Sequence, residues 1–145
     1  MKALLVIDLQ KQFQTADSQR AIDYVNTHRQ DYDIVIGTLF TGGNTNFAKL
    51  NYSCPSTKAD LLVDCDYVIE KNTYAPQLPL FLTTDYIIDV VGCDTDACIL
   101  APCFMLWDKE YSFNVLTKYV YSTATNLNED EILKSMRRNF GDCVK

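Results

Sequence analysis

The chain of 145 residues holds a single histidine, His28, set within a predicted helix and far in sequence from any cluster of cysteines. Zinc sites draw on clustered imidazoles and thiolates, so a metal centre is poorly supplied and no metal or other cofactor is expected. Basic charge is also scarce. Thirteen Lys and Arg face 19 Asp and Glu, a formal charge of -6, and Arg137-Arg138 near the end is the one basic cluster. Such a chain repels a phosphate backbone, which excludes nucleic acid as a partner. The apolar run Ala3 to Ile7 stops after five residues at Asp8, too short for a signal-peptide core or a membrane span. The expectation is a cytoplasmic protein with no membrane partner. The six cysteines, at 54, 65, 93, 98, 103 and 143, lack C-x-x-C spacing and the density of small secreted domains, and read as reduced thiols. Phosphate-cradling loops are missing too: neither G-x-x-x-x-G-K-S/T nor G-x-G-x-x-G occurs, and Gly42-Gly43 has no Lys-Ser/Thr behind it.

What remains is ordinary globular chemistry, 48% hydrophobic and 22% charged residues in a length suited to one domain spanning 1–145. Ala3 to Ile7 suits a strand buried on both faces, as strands of parallel sheets are. Ala21, Ile22 and Val25 stand at helical spacing between about Asp17 and Gln30, with Asp17 or Ser18 as the N-cap. Asp33 to Phe40 reads as a second buried strand, completing a βαβ unit. Thr41 to Pro55 is rich in Gly, Asn, Thr and Ser and reads as a loop long enough to border a site. A short helix near Thr57 to Leu62, strands at Tyr67 to Lys71 and Tyr86 to Cys93, a helix from about Asp96 to Asp108, a strand around Phe113 to Val120 and a final helix from Asn128 to Asn139 follow. This alternation predicts a three-layer α/β/α fold around a mainly parallel, Rossmann-like sheet of about five to six strands.

In such a sheet the ligand crevice opens at the carboxyl ends of the strands. Three reactive side chains fall at such ends: Asp8 after the first strand, Lys71 after the third and Cys98 just after the fourth, at the start of a helix. A thiol at a helix N-terminus with an ammonium nearby favours the thiolate, which makes Cys98 a candidate nucleophile and Asp8 a candidate proton acceptor. Taken singly, each has a plainer reading. Cys98 also fits a small buried hydrophobe, Asp8 an N-cap or a metal- or phosphate-receiving carboxylate, and Lys71 a solvated edge residue. Thr95 and Asp96 fit helix capping as well as chemistry.

Three segments carry a resemblance. Leu5-Val6-Ile7-Asp8-Leu9-Gln10-Lys11-Gln12-Phe13 matches an apolar strand followed by D-x-Q-x-x-F. Val68-Ile69-Glu70-Lys71-Asn72-Thr73-Tyr74-Ala75-Pro76 resembles K-x-x-Y-S-A. Val90-Val91-Gly92-Cys93-Asp94-Thr95-Asp96-Ala97-Cys98-Ile99 is similar to G-x-x-T-D-x-C-V. In this order, over nearly the whole length, the chain resembles the isochorismatase-like cysteine hydrolases. The resemblance implies Asp8 as general base, Lys71 as the cation that steadies the pair and Cys98 as the nucleophile forming a covalent intermediate. It also implies a cis peptide at Cys93-Asp94 and an oxyanion hole from the backbone N-H groups of Asp94 and Cys98.

The match has departures with consequences. Nicotinamidase-type relatives build a metal site from an aspartate and two histidines after the first and second strands. No histidine occurs in residues 14–16 or 39–55 here, so that metal is not expected. Relatives that hydrolyse the vinyl ether of isochorismate do without the cysteine nucleophile. Cys98 therefore points to a C-N hydrolase with an amide or ureide-like small-molecule substrate and a thioester-type intermediate. Pro102 requires either a late helix start or a kink. Shortened loops and Pro102 also fit a catalytically silent member that binds a small ligand or a protein partner. Phe13 and Tyr74 are candidate substrate-binding aromatics, with Trp107 a further pocket or interface candidate, and all three also fit the core. By analogy with the relatives, a homodimer or higher homo-oligomer is expected.

Overall fold

The computed structural model describes all residues, 1–145. Five strands form one sheet: β1 (Lys2–Ile7), β2 (Ile34–Phe40), β3 (Tyr67–Lys71), β4 (Ile87–Cys93) and β5 (Ser112–Tyr121). All pairings are parallel and the order across the sheet is β3-β2-β1-β4-β5. β1 is central, with Leu5 in register with Ile36 of β2 and Val90 of β4. The chain winds outward from β1 to β3 and then crosses to β4 on the other side, so β1 and β4 flank the point where the strand order reverses. Parallel sheets of this kind open their ligand crevice there, outside the strands' carboxyl ends.

Alternation along β1 divides the core into two halves. Ala3, Leu5 and Ile7 pack with Ile99, Cys103, Leu106, Leu133, Met136 and Phe140, which belong largely to α3 (Leu100–Asp108) and α4 (Glu129–Phe140). Leu4 and Val6 face the other way, onto Ala21 and Val25 of α1 (Ser18–His28) and onto Phe13, Phe40 and Phe47. Each such side chain, taken fully out of water, contributes about 1.5–3 kcal/mol, so both layers are held to the sheet chiefly by apolar burial. The result is the three-layer α/β/α arrangement anticipated from the sequence.

Local chemistry sets the helix ends. Asn128 caps α4 through its side chain, which accepts from the Glu131 amide at 3.3 Å. Glu129, Asp130 and Glu131 occupy the first turn and Arg137 and Arg138 the last, as the helix dipole favours. His28 closes α1 and pairs with Asp31 at the surface, 2.8 Å away. Residues expected to be loop between Thr41 and Pro55 include a short helix, α2 (Thr45–Lys49), capped by Asn44, whose side chain accepts from the Asn46 amide at 2.9 Å. Polar composition concealed it, and one buried residue, Phe47, holds it down. The helix expected near Thr57 is a single 3-10 turn, Lys58–Asp60, with Thr57 and Asp60 capping each other. No helix is long and apolar enough to cross a membrane.

Candidate active site

Asp8 follows the last residue of β1 and takes a left-handed backbone conformation, φ 48°. A non-glycine residue held there persists only when its surroundings fix it, and such residues cluster at working sites. Thr38 of β2 does the fixing: the Asp8 amide donates to Thr38 Oγ1 at 2.9 Å, and that hydroxyl donates to Asp8 Oδ1 at 2.6 Å. Two residues on, fully buried Gln10 clamps the ends of β1 and β2 together. Its Oε1 accepts from the Phe40 amide at 2.8 Å, and its Nε2 donates to the Phe40 carbonyl at 3.0 Å and to Ser56 Oγ at 2.9 Å.

Lys71 ends β3 and reaches across the carboxyl ends of β2 and β1. Its Nζ lies 2.8 Å from Asp8 Oδ2, and it donates to the Thr73 carbonyl at 2.9 Å and towards Cys98 Sγ at 3.4 Å. The ammonium also sits 5.1 Å from the centre of the Phe40 ring. Both charged side chains are almost wholly buried, 2% and 1% exposed. A buried pair of this kind survives only with close geometry, because desolvating two ions costs several kcal/mol each. Besides that ammonium, Asp8 Oδ2 has no hydrogen-bond donor, which leaves it lone pairs for another proton.

The segment that carries Cys98 has a distinctive path. The Cys93-Asp94 peptide is cis. Thr95–Ile99 then forms one wide π-type turn in which the Asp94 carbonyl accepts from the amides of Ala97, 3.0 Å, and Ile99, 2.9 Å. The helical path runs on without a break from this turn into α3 at Leu100, close to the start expected from the sequence, and Pro102 stands just after the switch from the wide turn to α-helical geometry. The helix accommodates Pro102 through the widened turn ahead of it. Cys98 lies in the wide turn instead of at the tip of an α-helix. Its thiol is pushed up to about 12, first by burial and then by the Asp8 carboxylate, against the opposing pull of Lys71. Burial thus opposes the thiolate that the Lys71 ammonium favours, and removing the proton becomes work for a neighbouring base.

Above Cys98 lies a cavity of about 190 Å³ lined by Phe13, Phe40, Phe47, Leu50, Tyr52, Tyr74, Asp94, Ala97, Cys98 and Thr123. Asp8, Lys71 and Cys98 thus meet at one end of the sheet, and Phe13 and Tyr74 both line the space above them. Trp107 does not; it packs on Phe140 at the far side of α3. The Asp94 side chain is turned to Thr123, accepting from its amide at 2.6 Å and its hydroxyl at 3.0 Å. Sequence reasoning missed Thr38, Phe40, Phe47, Tyr52 and Thr123. The first two were findable, since the end of β2 reaches the same sheet edge as the end of β1. A larger groove of about 970 Å³, bordered by Lys2, Trp107, Cys143 and Lys145, opens at the opposite, N-terminal ends of β4 and β5.

No group of three His, Cys, Asp or Glu side chains is assembled closely enough to hold a metal ion.

No family model and no curated protein sequence matches this chain. Solved structures do. A pyrazinamidase/nicotinamidase from Streptococcus mutans UA159 superposes with a TM-score of 0.79 at 16% identity, covering 100% of both chains. The N-carbamoylsarcosine amidase from Thermoplasma acidophilum gives 0.78 at 18% identity, over 99% of this chain and 95% of the other. An isochorismatase-like hydrolase from Alkaliphilus metalliredigens gives 0.75 at 15% identity, over 99% and 93%. The class defined is therefore the three-layer α/β fold of isochorismatase-like hydrolases. At these identities the likeness is one of fold, and function has to come from the site.

Proposed function

We propose that the protein is a cysteine-dependent hydrolase of a C-N bond, amide or ureide-like, in a small molecule. The observation that carries this is the contact of Lys71 Nζ with both Asp8 Oδ2, at 2.8 Å, and Cys98 Sγ, at 3.4 Å, beneath a cavity of substrate size. The names of the fold relatives, amidases among them, agree with that chemistry.

In the first half-reaction Asp8 Oδ2 takes the Cys98 proton as Sγ bonds to the carbonyl carbon, and the carbonyl electron pair moves onto oxygen. The backbone N-H groups of Asp94 and Cys98 are the proposed donors to that oxyanion; one well-aimed donor is worth about 3 kcal/mol. Collapse of the adduct breaks the C-N bond, and Asp8 returns its proton to the leaving amine, which leaves a thioester on Cys98. Water then attacks the thioester while Asp8 accepts a proton from it, the C-S bond breaks, and the thiol is reprotonated as the acid leaves. The Lys71 ammonium, in contact with both groups, offsets the negative charge as it passes between carboxylate and sulfur. A thiol held near 12 suits this scheme, because the proton leaves only as the new bond forms.

The test is ammonia release from a panel of primary amides and ureides, with the acyl-enzyme sought by intact-mass measurement. Turnover abolished by Cys98→Ala and slowed at least about a hundredfold by Asp8→Asn is expected. Turnover that survives Cys98→Ala overturns the assignment.

A further inference from the structure

The cavity over Cys98 is built to receive positive charge. Five aromatic side chains line it, and they are packed against one another: Phe40 and Phe47 are edge to face at 5.0 Å, Phe47 and Tyr74 at 4.9 Å, and Phe13 and Tyr52 are parallel at 6.2 Å. The one charged side chain among the lining residues is a carboxylate, Asp94. No Arg or His lines it, and the nearest cation, Lys71, is engaged by Asp8, Thr73 and Cys98. An anionic substrate thus finds no counter-ion, while a cation finds ring faces and a carboxylate. Ring faces attract ammonium groups through their quadrupole, most strongly where water is excluded. The Lys71 ammonium, 5.1 Å from the centre of Phe40, shows that one of these rings already accepts a cation.

We infer that the substrate is a compact amide or ureide whose other end carries a positive charge, an alkylammonium or quaternary ammonium group, and that a carboxylate in that place is rejected. A cavity of about 190 Å³ is there to receive the charged head beside the reacting carbonyl. The inference takes its reacting bond from the amidase reading, whereas its recognition rests on the rings and Asp94.

Two measurements separate these dependences. Cys98 is modified with 2-(trimethylammonio)ethyl methanethiosulfonate or 2-sulfonatoethyl methanethiosulfonate, followed by peptide mapping. Each rate is divided by that reagent's rate with free 2-mercaptoethanol, so the ionisation of Cys98 cancels in the ratio. A preference for the cationic reagent of roughly tenfold or more is expected, reduced severalfold in Asp94→Asn and in Phe47→Leu. A ratio near one, a preference for the anion, or a ratio unmoved by both substitutions overturns the inference. In parallel, ammonia release is compared for trimethylglycinamide, its neutral isostere 3,3-dimethylbutanamide and malonamate. Cation-selective labelling with no turnover of any amide removes the hydrolase reading and leaves cation recognition standing. Turnover of malonamate at or above the rate of trimethylglycinamide removes cation recognition and leaves the hydrolase.

Discussion

Asp8 and Thr38 hold each other by two hydrogen bonds of opposite sense: the Asp8 amide donates to Thr38 Oγ1 at 2.9 Å and the same hydroxyl donates to Asp8 Oδ1 at 2.6 Å. The hydroxyl therefore fixes both the left-handed turn of Asp8 and the direction of its carboxylate, leaving Oδ2 towards Lys71. Thr38→Val keeps the shape and removes both bonds. Hydrogen bonds to charged groups are worth about 1.5–3 kcal/mol, so unfolding in urea should show a loss of about 2 kcal/mol. Turnover should fall at least about tenfold as Asp8 loses its aim. Thr38→Ser, which keeps the hydroxyl, should recover most of both. Wild-type turnover in Thr38→Val would mean that β2 contributes nothing to the base.

The Lys71-Asp8 pair predicts an unusual recovery by double substitution. Lys71→Met leaves the Asp8 carboxylate buried and uncompensated, and breaking a buried pair from one side costs about 3–5 kcal/mol. Adding Asp8→Asn removes the orphaned charge, so the double variant should be more stable than Lys71→Met alone although neither is active. A urea double-mutant cycle reads this directly. Additive losses would show that the two charges do not interact as the 2.8 Å separation requires.

The sequence made the framework legible because parallel strands buried on both faces leave unbroken apolar runs. Ala3 to Ile7, Asp33 to Phe40 and Tyr67 to Lys71 stand within a residue or two of β1, β2 and β3. Asp8 was legible for the same reason, since it stands where the β1 run stops, whereas Lys71 ends an edge strand, YVIEK, in which exposed Tyr67 and Glu70 interrupt the apolar pattern. Cys98 was visible as a residue, whereas the extent of its burial was not. Its place near a helix start suggested a thiolate, but burial outweighs Lys71, and burial depends on Phe13, Phe40, Tyr52 and Tyr74 folding over it from four separate segments. The helix at Thr45–Lys49 was hidden because its one buried residue, Phe47, gives no periodicity.

Thiol ionisation gives a pH signature. With Cys98 raised to about 12, its thiolate fraction, and so its alkylation rate by iodoacetamide, should climb about tenfold per pH unit from neutrality to about pH 10 without levelling. A plateau near neutral pH would show a preformed thiolate instead. Stability carries the matching sign. Cys65, raised to about 11, and Cys98 and Cys103, raised to about 12, keep their protons in the fold, whereas unfolded thiols lose theirs near 9. The native state then binds more protons than the unfolded one. The contribution is whole below pH 9 and is lost as the pH climbs towards 11–12, by about 1.4 kcal/mol per unit for each thiol. Urea midpoints measured from pH 8 upward should fall accordingly; a midpoint rising with pH would reverse the sign.

Gly92 governs how closely β4 approaches β1 just ahead of the nucleophile turn. Its φ is 113°, and a Cβ built there would stand 2.1 Å from the Ile7 carbonyl oxygen. Gly92→Ala therefore combines a disfavoured backbone conformation with a backbone clash that no side-chain rotation relieves. A loss of at least about 4 kcal/mol is expected, in the range of severe core lesions, with Cys98 displaced from Lys71. Gly43 supplies the control. Its φ is 82°, but nothing lies within 4 Å of the added carbon, so Gly43→Ala should cost only about 1 kcal/mol, for the conformation alone. Equal destabilisation of the two variants in urea would mean that φ alone, and not the approach of β4 to Ile7, makes glycine necessary at 92.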